Sequence, residues 1–248
     1  MTVLQTKIVE LNRQSPAPFS NTIVRNYANL LRERNINLNS KSISFVGSVP
    51  IEKVIGIDQS YGDDSSWGEW LEGSCLKRLK YRMTELQESP EYYLSDELKD
   101  GMSFAKIGEE YFVVTGKHRT TIAKFLAHFN PMAFSNRSPL SSVQITEYFV
   151  DYEYQDIEKR FESLELRYPG LKFELEHTST DVDRRFLLIR EKCSHGLFEA
   201  YTRQEAIALL NDFESPSLIK KLKPAKSIYD RDVYRFISYG HCLKNIFV

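Results

Sequence analysis

The chain has 248 residues, enough for one large domain or two small ones that each bury a core. Its 33 Lys and Arg against 34 Asp and Glu leave a net charge of -1, which argues against a global field pulling it onto nucleic acid or an anionic membrane. Apolar residues at 42% argue against extended disorder, and three scattered cysteines, Cys75, Cys193 and Cys242, against a disulfide framework or zinc cluster. No segment approaches the roughly twenty apolar residues of a membrane span, so the sequence predicts a cytoplasmic protein with reduced thiols and no membrane partner.

In chain order, Val3 to Leu11 reads as a weak strand or extended arm, and Pro16 and Pro18 mark a connector after it. A helix is expected after Asn21, where Ile23, Tyr27, Leu30 and Leu31 recur at helical spacing. Residues 42–58 are β-rich around Pro50 and predict a strand, a turn and a short piece ending near Asp58. Trp67, Leu71, Leu79, Met83 and Leu86 trace a helical face over residues 67–88. Gly73 in its middle costs about 1 kcal/mol against Ala, which allows a kink or two shorter helices. Lys77, Arg78, Lys80 and Arg82 form the densest basic cluster, on the opposite face of that helix.

Residues 103–107 and 111–115 are strand-like and separated by Gly108-Glu109-Glu110, a hairpin-length turn. The second strand runs into "TGKHRTTIAKFLAHF", where Ile122, Phe125, Leu126 and Phe129 mark a helix that ends by Pro131. The Ser, Asn and Pro of residues 130–142 predict a domain boundary, giving units of 1–135 and 140–248. The second unit reads as strand 143–151, helix 153–168, strands 171–177, 185–190 and 196–201, and helix Thr202 to Phe213. The expected fold class is therefore α+β, with a second small α+β unit of unknown role and unknown protein partner. The tail after residue 217 is expected to be partly helical, with Lys220, Lys221 and Lys223 a basic spot.

The strand-to-helix join carries the chemistry. A helix amino terminus presents unpaired N–H groups and partial positive charge, and so attracts an anion. Here Gly116 supplies a joint without a Cβ, followed by Lys117, His118 and Arg119, with Thr120 and Thr121 as hydroxyl donors. The plain alternative is that these residues only fasten a hairpin to a helix, with Arg119 paired to Glu109 or Glu110. Asp63 and Asp64 in a polar loop are candidate Mg2+ ligands, or solvent-facing turn residues. The histidines show no metal-ligand spacing.

"VPIEKVI" at 49–55, the helical stretch at 67–88 and "YFVVTGKHRTTIA" at 111–123 stand in the order found in the ParB/sulfiredoxin superfamily. The resemblance covers residues 42–130 and implies a phosphate-binding domain with Gly116, His118 and Arg119 on the phosphate. Sulfiredoxins carry a catalytic cysteine just before the His-Arg pair, where this chain has Lys117, which argues against sulfinic-acid reduction. Chromosome-partition ParB proteins have a more Arg-rich box, where this chain has Thr121, and a helix-turn-helix domain after it, which argues against a CTP clamp. The nearer branches are free-serine kinases and the ParB-like nucleases and NTPases of mobile elements. They imply a nucleotide cosubstrate (ATP, ADP or CTP), Mg2+, and a general base that falls at Asp58, with His118 as a second catalytic group. The expectation is thus an NTPase, phosphotransferase or nuclease. The competing expectation is a non-catalytic DNA-binding or regulatory protein that uses the basic cluster and the GKHR corner.

Overall fold

The computed structural model describes residues 3–59, 64–134, 137–167, 171–175, 186–190 and 198–214, in two compact units that divide between Val150 and Asp151. The fold class is α+β. Among the described residues, no helix is long and apolar enough to cross a membrane.

The first unit opens with helix α1 (Val3–Gln14) where an extended arm was expected. Gln5, Ile8 and Val9 are buried and Asn12 is half-buried, a spacing of three and four residues that follows one helix face and not the alternation of a strand. Gln5 confirms the docking by donating from Nε2 to the Leu71 carbonyl at 3.1 Å. The second helix also starts later than its periodicity implies. Thr22 and Val24 spend their backbone groups on Trp67 and Ser65, the two-residue strand β1 (Arg25–Asn26) follows, and the Asn26 side chain then caps α2 (Tyr27–Glu33) by accepting from Asn29 N at 3.1 Å.

Strand β2 (Leu38–Gly47) leads through a 3-10 turn at Ile51–Lys53 into β3 (Val54–Ile57). The long stretch after it is two helices. Ser66 and Glu69 form a capping box on α3 (Trp67–Glu72), and Gly73 at φ 88° ends it. Helix α4 (Leu79–Glu88) follows, then a 3-10 turn at Pro90–Tyr93. Strands β4 (Ser103–Ile107) and β5 (Glu110–Thr115) form the expected hairpin, and α5 (Lys117–Phe129) and the short α6 (Pro131–Phe134) come next.

Strand β6 (Val143–Val150) belongs to this first unit, between β4 and β2 in a sheet of order β1-β3-β5-β4-β6-β2. It pairs parallel to β4 and antiparallel to β2, and buries Val143 and Ile145. The Pro- and Ser-rich segment at 130–142 is therefore a connection inside the unit, and the boundary lies after residue 150. β1, β3 and β5 run parallel, and β5 pairs antiparallel to β4. The middle of the sheet is covered on both faces. Phe104, Tyr111 and Val113 pack with Trp67, Trp70, Ile122 and Phe125 on one side, and Ala105, Ile107 and Phe112 with Leu30 on the other. Two-sided burial explains why β5 reads as an unbroken apolar run.

The second unit has α7 (Tyr152–Arg167), an antiparallel sheet of β7 (Leu171–Leu175), β8 (Phe186–Arg190) and β9 (Phe198–Tyr201), and α8 (Arg203–Glu214). Tyr154, Ile157, Phe161 and Leu164 of α7 pack with Ala206, Leu209 and Leu210 of α8. Arg203 ties the helix starts together through Asp151 at 2.5 Å and Glu153 at 2.8 Å. The predicted basic spot at Lys220, Lys221 and Lys223 lies outside the described residues.

Candidate phosphate site

β5 ends at Thr115, and Gly116 turns the chain into α5 at φ 93°, in the left-handed region. A Cβ there would stand 2.9 Å from both the Gly101 carbonyl oxygen and Met102 Cγ, so glycine is required by conformation and by space. Gly116, as N-cap, has no side chain to cap the helix, and the first turn holds no acidic residue. The N-terminal N–H groups and the positive end of the dipole thus lack an anionic partner from their own helix.

The three side chains that follow diverge. Lys117 is half-buried beside Asp58 and Cys75; burial lowers its pKa while those two groups oppose the shift. His118 Nε2 accepts from the Arg78 backbone N–H at 3.3 Å, which leaves the ring proton on Nδ1. Burial first, then Lys117, Arg82 and Arg78, push its pKa down to about 4. His118 is therefore a neutral donor near pH 7. Arg119 faces away from Asp58, as a residue two positions past Lys117 on a helix must. Its Nη1 donates to the Asp100 carbonyl at 2.8 Å, and its guanidinium carbon lies 5.1 Å from the centroid of the Tyr92 ring. It pairs with neither Glu109 nor Glu110, which hold Lys53 and Arg34. Arg119, Arg82, Glu85 and Tyr92 border a cavity of about 250 Å³.

Thr120 and Thr121 correct the expectation of hydroxyl donors to a phosphate. Both are fully buried, and they give their protons to the carbonyls of Gly116 at 3.1 Å and Lys117 at 2.8 Å. Their place in the helix turns them inward.

Asp58 stands at the carboxyl end of β3. Its N–H donates to the Val113 carbonyl at 3.1 Å, continuing the parallel pair with β5, so the chain itself brings Asp58 towards Lys117. Burial raises its carboxyl pKa, opposed by a hydrogen bond from its own backbone and by Lys117. Oδ1 is buried with no hydrogen-bond partner among the described residues. Tyr27 lies beside it, its phenol held protonated by burial, Tyr148 and Asp58.

The basic cluster is divided. Lys77 and Arg78 lie in the turn before α4, and Lys80 is exposed on the helix; none makes an ion pair among the described residues. Arg82 turns to Glu85 at 2.6 Å. Asp63 lies outside the described residues and Asp64 is exposed; the described residues hold no group of three metal-ligating side chains. His128 packs edge-on to Phe19 and Phe129.

Sequence reasoning missed Tyr27, Cys75 and Tyr92, which are distant in the chain from the motif and carry no spacing signal. The chain matches none of the protein-family models, curated proteins or solved structures with which it was compared.

Proposed function

We propose that the first unit binds a nucleotide phosphate at the amino end of α5 and acts on it as an NTPase or phosphotransferase of the ParB/sulfiredoxin kind. The observation that carries this reading is the left-handed Gly116 joint, with no side chain of its own to cap the helix, beside the charges of Lys117 and Asp58. An anion supplies the cap that the helix lacks, and Lys117 adds a neighbouring cation. Asp58, with an unpartnered oxygen and a raised pKa, takes the proton of an attacking water or hydroxyl as its oxygen bonds to phosphorus. Charge on the departing phosphate oxygen is met by the α5 N–H groups, Lys117 and the His118 Nδ1–H. Mg2+ accompanying the nucleotide would help neutralise the charge of its phosphates.

A second reading is a nucleic-acid phosphate contact without turnover. It is favoured by the exposed Lys77, Arg78 and Lys80, which Arg78 joins to His118 through its backbone N–H. Calorimetric titration with ATP, ADP, CTP and a short DNA duplex, with and without Mg2+, separates the two. The enzyme reading expects one nucleotide to bind, to bind at least about tenfold more weakly to Lys117→Gln, and to be turned over by wild type but not by Asp58→Asn. Undiminished binding by Lys117→Gln overturns it. Duplex binding whose affinity falls steeply with salt, with no nucleotide bound, supports the second reading.

A further inference from the structure

Lys124 lies on α5, in the apolar interior, and is 4% exposed. Its ammonium donates to the carbonyls of Ile51 at 2.9 Å and Val54 at 3.0 Å, and sits 4.8 Å from the Phe19 ring and 5.1 Å from the Trp67 ring. Among the described residues no carboxylate pairs with it; Glu52 acts only as a neighbouring charge, and burial draws the lysine pKa down to about 8. An apolar residue would fill this space without desolvating a charge. The lysine instead joins α5 to the segment that enters β3.

The two carbonyls mark a particular place. Val54 pairs with Tyr111, but the next pair is Gly56 with Phe112, so one residue of β3 is extra at this point and the ladder is irregular. Past it the pairing is regular, through Ile57 with Val113 and the Asp58 N–H to the Val113 carbonyl. Side chains alternate across a strand, so a slip of one residue would turn Asp58 to the opposite face, away from Lys117.

We infer that Lys124 is a positioning residue: its ammonium clamps the irregular start of β3 to α5 and so fixes the strand register that sets Asp58 against Lys117. The clamp is a statement about the fold; its bearing on chemistry rests on the phosphate site proposed above.

The test compares wild type with Lys124→Met, which keeps the length and loses the donors. Amide hydrogen exchange is followed in Val54–Asp58 and, as an internal reference, in the β4–β6 pair. The clamp predicts exchange at least about tenfold faster in Val54–Asp58, with the reference changed less than about twofold. No change, or equal acceleration in both regions, overturns it. Should Lys124→Met fail to fold, wild-type protein decides. Couplings across hydrogen bonds from the Lys124 ammonium to the Ile51 and Val54 carbonyls are expected in NMR spectra, and their absence overturns the clamp. A parallel ATP titration of the wild type keeps the two proposals apart. Local loosening with no nucleotide binding leaves the clamp and removes the phosphate site; nucleotide binding without local loosening does the reverse.

Discussion

Replacing Gly116 by Ala tests whether the joint has the shape described, and Gly108→Ala provides an internal measure. Both glycines have positive φ, 93° and 58°, and an L residue there costs about 1–2 kcal/mol. Restricting the unfolded chain returns about 0.4–1 kcal/mol in each case. The positions differ in space. Nothing lies within 4 Å of a Cβ at Gly108, the first turn residue of the β4–β5 hairpin, whereas one at Gly116 meets a backbone oxygen and a methionine carbon at 2.9 Å. Relieving that contact requires the Gly101 backbone to shift, at roughly 1–3 kcal/mol more. Gly108→Ala should thus lose about 1 kcal/mol and Gly116→Ala about 2–4 kcal/mol. Urea unfolding followed by tryptophan fluorescence reads this unit specifically, because both tryptophans, Trp67 and Trp70, are buried in its core. Equal losses in the two variants would refute the close approach of Gly116 to Gly101.

Among the described glycines, Gly56→Ala should be the most damaging substitution, since its Cβ would fall 1.9 Å from the Arg25 carbonyl oxygen in the parallel β1–β3 pair; stability within about 1 kcal/mol of wild type would contradict that register. His118, with a folded pKa of about 4 against 6.5 unfolded, makes the native state lose stability as pH falls through that window, because the unfolded chain takes up the proton first. Measured by denaturant midpoints, the stability of wild type relative to His118→Gln should fall between pH 7 and pH 4.5, and parallel curves would count against a buried neutral imidazole. Asp58 has the opposite sign: its raised folded pKa removes stability as pH rises through it, so Asp58→Asn should be as stable as wild type or more so at pH 7 while losing turnover. A strongly destabilised Asp58→Asn would mean that the carboxylate has a structural partner.

The hairpin and the helix after it were legible because glycine marks each reversal and the apolar spacing changes from strand to helix within a few residues. The beginning of the chain was not, since the helix over Val3 to Leu11 docks on a segment more than sixty residues away, through Gln5 and Leu71, a contact that local spacing does not announce. Composition misled at 130–142, where prolines and serines mark a connection whose far end returns to the sheet through pairing with β4 and β2. At the site, Asp58 and the GKHR run were singled out by an order of motifs that resembles the ParB/sulfiredoxin superfamily. The inward turn of Thr120 and Thr121 follows from helical phase and their bonds to carbonyls four residues back, which a reading of residue chemistry along the chain overlooks. Lys124 gives no warning in the sequence, because a lysine among apolar helix residues ordinarily reads as the solvent face.

The most direct measurement is a backbone amide NMR titration of the wild-type protein with ATP, ADP and pyrophosphate. Phosphate bound at the start of α5 predicts the largest shifts at the N–H groups of Gly116, Lys117, His118 and Arg119, reduced or abolished in Lys117→Gln. Shifts that cluster elsewhere, or none at millimolar ligand, would contradict a phosphate site at this joint and leave Gly116 to Arg119 as a structural fastening between strand and helix.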